Sequence, residues 1–203
     1  MLTHITIATI QGTQLITGYY SSHAHCLGEG VARGISLAGA DLSRLDLRAA
    51  ELDEADLRGA RLTGANLAGA NMSDSDLRGC DFTHANLADS CMAYADLRHC
   101  DLYYCRIGAT DITGARLDNA RLAGPDSFAL PFASCASMQH CVYYDEDRTA
   151  YTLHRPPVVV TGLPEPVVIM EQGIKYGAGL VRPVPLTPDT NRDHICREHT
   201  CMS

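Results

Sequence analysis

The sequence contains no tryptophan and only three phenylalanines among its 203 residues. A core must therefore be built mainly from small and aliphatic side chains, which the 46% of hydrophobic residues can supply. Long apolar runs are also missing. Aliphatic stretches such as Val158–Val160 and Val167–Met170 are far shorter than the ~20 residues that cross a bilayer. We therefore expect no membrane association.

Charged residues are missing from residues 1–28, which contain no Asp, Glu, Lys or Arg. A signal peptide needs a basic start and a continuous apolar stretch, and neither is present. The nine cysteines are an odd number without the spacing of a small disulfide-bonded domain. Reduced thiols are the simpler interpretation, so we expect a cytoplasmic protein. The net charge of −8 argues against direct, non-specific binding of nucleic acid.

A five-residue repeat dominates the middle of the chain. An apolar residue occupies 18 successive positions without an insertion, and the position two residues earlier is Ala in 10 of them. The residue just before the apolar one is Asp, Glu or Asn in 12 of the 18. The apolar series is Leu37, Leu42, Leu47, Leu52, Leu57, Leu62, Leu67, Met72, Leu77, Phe82, Leu87, Met92, Leu97, Leu102, Ile107, Ile112, Leu117 and Leu122.

A period of five fits neither an α-helix nor a flat strand, whose periods are 3.6 and 2. An α-helix would spread these apolar residues around all its sides and bury none of them well. Proline is absent from 35–124, and the glycines follow the apolar residues, where a chain can turn. A coil that turns one corner every five residues places both the apolar and the small residues inside. The pattern therefore predicts a coiled β structure.

The repeated unit, as in Ala55-Asp56-Leu57-Arg58-Gly59, resembles the pentapeptide-repeat family over 90 residues. The resemblance implies an all-β fold, a right-handed quadrilateral β-helix with four units, or twenty residues, per coil. The 18 units then make about 4.5 coils, and a rung spacing of ~4.8 Å predicts a height of ~22 Å. The stretch 161–170 is also similar to β segments that follow such arrays in some phage proteins, which implies a phage origin.

The flanks predict three regions: an N-terminal β cap at 1–34, the array at 35–124, and a C-terminal antiparallel β module with a flexible tail at 125–203. Alternating apolar residues around the Gln11-Gly12 turn predict a hairpin that covers the first rung. After Pro125 the repeats stop and short strand-like segments appear. We expect this module to cap the array, to form a homodimer or to bind a partner.

Twenty-residue spacing sorts the outward charges onto four faces. The face of Leu57, Leu77 and Leu97, called the Asp–Arg face, has equal numbers of acids and bases. Two further faces are also neutral. The fourth, called the acidic face, is built on Leu52, Met72, Met92 and Ile112 and contains no base. Its acids are Glu51, Asp53, Glu54, Asp74 and Asp111, and Tyr94 is predicted to point outward on the same face.

The family's best-understood members resemble a DNA duplex in shape and charge and inhibit or protect type II topoisomerases. By that resemblance we expect a decoy that occupies the basic DNA-binding groove of a host enzyme, with DNA gyrase first and a defence nuclease next. A ~22 Å duplex carries roughly 13 charges, so five acids on one face match only a duplex edge. The candidate partner-binding residues are Glu51, Asp53, Glu54, Asp74, Asp111 and Tyr94. An acidic face that only keeps the protein soluble is the competing interpretation.

Catalysis and metal binding receive little support from the sequence. No nucleophile–base arrangement stands out, and we expect neither an enzyme nor a cofactor. The tail residues His194, Cys196, His199 and Cys201 are potential ligands, but their spacing matches no zinc pattern and no second half-site accompanies them. An alternative to the decoy is a structural or adaptor protein. Its C-terminal β part would bind or dimerise, and the array would be a spacer.

Overall fold

The computed structural model describes residues 1–160, 167–171, 173–176 and 179–181. The chain forms two compact units, Met1–Val158 and a second that starts at Val159. The first contains β1 (Thr3–Ala8), β2 (Gln14–Tyr20), α1 (His23–Ala32), β3 (Asp101–Tyr103), β4 (Arg121–Ala123), β5 (Cys141–Tyr144) and β6 (Ala150–Leu153). Short 3-10 helices at Pro125–Ala129 and Phe132–Ser134 separate β4 from β5.

The repeat coils so that residues twenty apart in sequence lie side by side. Parallel β-bridges join Asp56 to Asp76 and Asp76 to Asp96, and four ladders of such bridges run through the array. In one rung contact, the Leu57 amide donates to the Asp76 carbonyl at 3.0 Å, and the Asp76 amide donates to the Ala55 carbonyl at 2.9 Å. Because the rungs satisfy each other's backbone groups, the β structure needs no long strands.

Both inward columns of the repeat are buried. The 18 apolar side chains from Leu37 to Leu122 are at most 5% exposed, and burial of each stabilises the fold by about 1.5–3 kcal/mol. Where the small residue is not alanine, its polar atom finds a backbone acceptor. Cys80 Sγ donates to the Leu57 carbonyl at 3.0 Å, and Thr110 Oγ1 donates to the Leu87 carbonyl at 2.7 Å. Cysteine therefore serves as a slightly larger alanine.

Most repeats end in a tight turn. At one corner the Ala60 amide donates to the Leu57 carbonyl at 2.9 Å, and Gly59 has φ 64°. A positive φ at the third position is what a type II turn requires. Non-glycine residues occupy the same position at Glu54, Asp74 and Tyr94, with φ of 56°, 54° and 60°. Their side chains project outward from the corners.

The N-terminal region contains the hairpin that the sequence predicts. β1 pairs antiparallel with β2, and Gly12 turns the chain with φ 88°. The hairpin continues onto the first rung, because the Asp41 amide donates to the Ala8 carbonyl and the Ile10 amide donates to the Gly39 carbonyl, each at 2.9 Å. This pairing satisfies the sheet edge that would otherwise be open at the start of the array.

The helix α1 was not predicted. Its ten residues include two glycines, and it has no acid in the first turn and no base in the last, so its local helix signals are weak. Ser22 caps it by accepting a hydrogen bond from the His25 amide at 3.0 Å. Tertiary packing supplies the rest, since Leu27 is fully buried and a Cβ at Gly30 would lie 2.3 Å from Ile16 Cδ1. The N-terminal cap is therefore a hairpin plus a helix.

The coil does not end at Pro125, where the repeat stops. β5 pairs in parallel with β4, so that Leu122 lies opposite Tyr143 at a spacing of 21 residues instead of 20. The two 3-10 helices replace part of this last circuit and bring in the buried aromatic residues Phe128 and Phe132. Aromatic side chains thus close the end of the column, and only β6 adds an antiparallel strand to β5.

A second sheet has the order β10-β9-β8-β7, with β7 at Val158–Val160, β8 at Val167–Met170, β9 at Gly173–Tyr176 and β10 at Gly179–Val181. The β8–β9 and β9–β10 pairs are antiparallel, as the sequence predicts for this region. The expected turn at 162–164 and the tail with its four potential metal ligands lie outside the described residues. Within the described part of the chain, no helix is both long and apolar enough to cross a membrane.

Candidate protein-binding surface

The strand positions of the acidic face stack in one ladder. Parallel bridges join Glu51 to Asn71, Asn71 to Cys91 and Cys91 to Asp111. Asn71 Nδ2 donates to Glu51 Oε2 at 3.4 Å, so the first acid is in contact with the second rung. Asp111 is exposed at the other end of the ladder, and hydrogen bonds from the Thr113 side chain and amide lower its pKa. The two predicted acids therefore share one face, three rungs apart.

The corner positions of the same face form a second column, which consists of Glu54, Asp74, Tyr94 and Gly114. Backbone hydrogen bonds fix their stacking, because each corner amide donates to a carbonyl of the next rung. These bonds are 2.9 Å from Glu54 to Ser73, 2.9 Å from Asp74 to Ala93, and 2.8 Å from Tyr94 to Thr113. Asp53 directly precedes Glu54 and is exposed. The twenty-residue period thus brings all six predicted residues to one side of the coil.

None of the five acids forms an ion pair with another part of residues 1–160. Every salt bridge found in that range involves other carboxylates. All five side chains are exposed. Their charge is consequently available to a partner, and Coulomb attraction between exposed charges weakens with salt.

The Asp–Arg face is different because its charges are paired within the chain. Arg58 contacts Asp56 through two hydrogen bonds of 2.7 and 2.9 Å, and its Nε also lies 3.6 Å from Asp76 in the next rung. Arg78 repeats the arrangement with Asp76 and Asp96. Hydrogen bonds from Arg58 lower the pKa of Asp56, and those from Arg78 lower the pKa of Asp76. This face is a continuous ladder of alternating charges.

The helix α1 borders the Glu51 end of the acidic face, which the sequence did not reveal. A Cβ at Gly28 would be in ordinary van der Waals contact with the Glu51 carbonyl oxygen, at 3.5 Å, so the helix passes close to this strand position. A groove of about 440 Å³ lies beside this contact, with His25, Glu29 and Arg48 among its lining residues. Glu29 and Glu51 both line this groove, so the helix adds an acid near the Glu51 end of the acidic face.

Tyr94 is exposed, as predicted, and its ring covers Gly114. The Tyr94 side chain is 63% exposed, and a Cβ at Gly114 would lie 2.5 Å from Tyr94 Cδ1. Two further tyrosines of the array, Tyr103 and Tyr104, have ring partners. Tyr104 stacks on His84 with ring centroids 5.5 Å apart, while Tyr103 contacts Tyr144 edge to face. Within the described residues, no ring or cation contacts Tyr94 in this way.

Chemistry beyond binding finds little support in the described residues. No group of three or more His, Cys, Asp or Glu side chains in that part of the chain could hold a metal ion. Among the described residues a serine contacts a histidine at one place, where Ser21 Oγ lies 2.9 Å from His25 Nδ1. The nearest carboxylate oxygen, on Glu29, is 3.8 Å from His25 Nε2, too far to orient the ring through a hydrogen bond. Ser21 lies just before α1, His25 lies in its first turn and Glu29 in its last, and all three are exposed.

The comparisons with known proteins identify the repeat. The family model for pentapeptide repeats matches in eight copies, over overlapping stretches at 33–64, 40–79, 65–102 and 80–124. No curated protein sequence matches the chain.

Several solved structures are similar to this chain. A pentapeptide repeat protein (Rfr23) from the cyanobacterium Cyanothece 51142 is 27% identical, with a TM-score of 0.39, over 39% of this chain and 55% of that one. One from Nostoc Pcc 7120 is 31% identical, with a TM-score of 0.37, over 41% and 69%. One from the Arabidopsis thaliana thylakoid lumen is 29% identical, with a TM-score of 0.32, over 60% and 88%. The chain thus spans about half the length of the first of these structures.

Proposed function

Because this chain belongs, through residues 33–124, to the pentapeptide-repeat family, we propose that it is a non-catalytic decoy that binds a protein. The acidic face enters the basic DNA-binding groove of a host enzyme and mimics one edge of a duplex. DNA gyrase is the first candidate, since members of this family act on type II topoisomerases, and a defence nuclease is the second. The protein acts in the cytoplasm, where its seven described cysteines stay unpaired.

The observation that carries the proposal is the difference in pairing between two faces of one coil. On the Asp–Arg face every aspartate has an arginine partner, so the face has little net charge to offer. On the acidic face, Glu51, Asp53, Glu54, Asp74 and Asp111 are exposed and lack such partners within residues 1–160. A row of unpaired acids attracts a basic groove and raises the rate of encounter.

The expected shape supports the same role. We take the four ladders of bridges as the walls of a right-handed, four-sided coil of about 4.5 turns. At ~4.8 Å per rung the column is ~22 Å tall. Five acids over that height approach the one charge per ~3.4 Å of a single DNA strand. To a basic groove, one wall of the column would therefore present a spacing of negative charge similar to that of one strand of a duplex.

Gyrase supercoiling is the direct test. We expect micromolar wild-type protein to inhibit supercoiling or to protect gyrase from a DNA-cleavage poison. The triple variant Glu51→Lys, Asp74→Lys, Asp111→Lys should lose the effect. A matched control is Asp89→Lys, Glu146→Lys, Asp147→Lys, which changes the net charge equally, lies off the acidic face and includes one corner residue at φ 59°.

Two outcomes of that assay would count against the proposal. If wild-type protein has no effect on gyrase, then gyrase is the wrong enzyme, and a panel of DNA nucleases becomes the next screen. If the acidic-face variant and the control behave alike, the surface assignment is wrong. Circular dichroism of both variants must first show the wild-type spectrum, so that loss of effect is not loss of fold.

A second candidate function is an adaptor whose C-terminal sheet binds a partner or a second copy. The observation that favours it is exposed apolar surface, because Val158, Val160 and Ile169 are 58%, 39% and 41% exposed. Replacing Val160 and Ile169 by Arg in the full chain should abolish dimerisation, as measured by light scattering. The acidic-face variant should leave it unchanged. Two results together would reject the adaptor function. The wild-type chain would be monomeric, and the double change at Val160 and Ile169 would remove no partner in a pull-down.

A further inference from the structure

Two exposed tyrosines occupy equivalent corners on opposite sides of the coil. Tyr94 and Tyr104 have φ of 60° and 53°, and each corner amide donates to the next rung at 2.8 Å, to the carbonyls of Thr113 and Ala123. Each also precedes a corner glycine by twenty residues. A Cβ at Gly114 would lie 2.5 Å from Tyr94 Cδ1, and one at Gly124 would lie 2.9 Å from Tyr104 Cδ1. Glycine on the following rung therefore leaves room for each ring.

The two tyrosines differ in what occupies the corner of the preceding rung. Above Tyr104 this residue is His84, whose imidazole stacks on the phenol with an angle of 22° between the planes. Above Tyr94 it is Asp74, a carboxylate that cannot stack and that has no ion pair within residues 1–160. The chain itself thus covers one ring with a planar group, whereas at the other ring it places an unpaired negative charge.

We propose that Tyr94 and Asp74 together form a recognition site for an arginine side chain of the partner. The guanidinium lies on the Tyr94 ring as the His84 imidazole lies on Tyr104, and it forms a salt bridge with Asp74. Guanidinium is planar and stacks on aromatic faces, whereas the compact ammonium of lysine does so less well. Asp111 lies just before the turn that contains Gly114, so it adds to the negative potential around the ring.

The site rests on the proposed function only in assuming a basic protein partner, and it specifies the chemistry of that partner. Bare charge attraction would accept lysine and arginine equally. A stacked site on a corner tyrosine prefers arginine, and this preference can be measured without knowing the enzyme. Because the chain contains no tryptophan, the fluorescence of a tryptophan introduced at this corner comes from that site alone.

The test uses the full-length variant Tyr94→Trp, whose single tryptophan reports on this corner alone. Hexa-arginine and hexa-lysine peptides, which carry equal charge, are titrated at low ionic strength while tryptophan emission is followed. We expect hexa-arginine to bind about threefold or more tighter than hexa-lysine. Adding Asp74→Asn should remove most of that preference. The control Tyr104→Trp, at the corner already covered by His84, should show no preference.

Equal affinity for the two peptides in Tyr94→Trp, or the same preference in Tyr104→Trp, would overturn the proposal. A second readout uses the native tyrosine. NMR of the arginine peptide should show an upfield ring-current shift of its side-chain methylenes with wild-type protein, and none with Tyr94→Leu. An arginine preference without any effect on gyrase leaves this site intact and rejects that enzyme. Inhibition of gyrase without an arginine preference supports the decoy and rejects the stacking site.

Discussion

The Asp–Arg face and the acidic face are built from the same repeat, yet they use their carboxylates in opposite ways. On the first, Asp56, Asp76 and Asp96 each accept hydrogen bonds from both Nε and Nη2 of the arginine two residues later. On the second, that position is occupied by Asp53, Ser73, Ala93 and Thr113, none of which is basic. A basic residue at this position therefore pairs with the strand carboxylate within the chain, and its absence leaves the carboxylate available to a partner.

The largest effects should come from the interior, and they should be equal behind the two faces. Leu77 lies behind the Asp–Arg face and Leu52 behind the acidic face, and both are fully buried. Replacing either by Ala removes the same apolar volume, and each change should lower the free energy of unfolding by about 2–5 kcal/mol. Urea denaturation measures both. A large difference between them would show that the faces differ in packing as well as in charge.

A smaller effect should distinguish the two outer surfaces. Asp96→Asn breaks the pairing with Arg98 and should destabilise the fold by at most about 1 kcal/mol, since the pair is partly exposed to solvent. The same substitution at a corner of the acidic face, Asp74→Asn, should leave the urea midpoint unchanged or slightly higher, because it removes an unpaired charge. If Asp74→Asn is the more destabilising of the two, the Asp74 carboxylate stabilises the fold. That result would contradict its description as an unpaired charge that is free for a partner.

Low pH should also destabilise the fold through the Asp–Arg face, as Asp96→Asn does. The lowered pKa values of Asp56 and Asp76 mean that the folded state binds protons less readily than the unfolded chain, whose aspartates titrate near ~3.9. Their stabilisation is complete above that pH and is lost as the pH falls toward the folded values. We expect stability to decline below about pH 4. In Asp56→Asn this decline should be shallower, as followed by circular dichroism.

The five-residue period predicted most of the difference between the Asp–Arg face and the acidic face. It placed the 18 apolar residues inside and sorted the charged side chains by face. This was possible because side chains twenty residues apart in sequence point in the same direction in such a coil. The balance of acids and bases on the Asp–Arg face also followed from sequence, and their pairing is explained by the fact that aspartate and arginine two residues apart on one strand point to the same side.

Other features depend on tertiary contacts that no local pattern encodes. The helix α1 contains two glycines, and its stability comes from Leu27 and from the packing of Ile16 on Gly30. The continuation of the coil past Pro125 rests on a 21-residue spacing and on buried phenylalanines in place of the leucine series. The difference between Tyr94 and Tyr104 required the observed stacking of His84.

The smallest effect should be a difference in cysteine reactivity. Burial raises the pKa of Cys105 to about 12 and leaves little thiolate at neutral pH. Cys91, in the middle of the acidic face, is partly exposed, and its Sγ lies 3.1 Å from Ser73 Oγ. Iodoacetamide should alkylate Cys91 well before Cys105, as mapped by peptide mass spectrometry. A bound partner should slow the reaction at Cys91, and no slowing would place the partner elsewhere.

The central claim is that the acidic face competes with DNA for a basic groove, and displacement measures it most directly. A fluorescently labelled duplex is bound to gyrase, and its anisotropy is followed while the protein is added. We predict that wild-type protein and the Asp89→Lys, Glu146→Lys, Asp147→Lys control displace the duplex, whereas Glu51→Lys, Asp74→Lys, Asp111→Lys does not. Equal displacement by all three proteins would contradict the assignment of the acidic face.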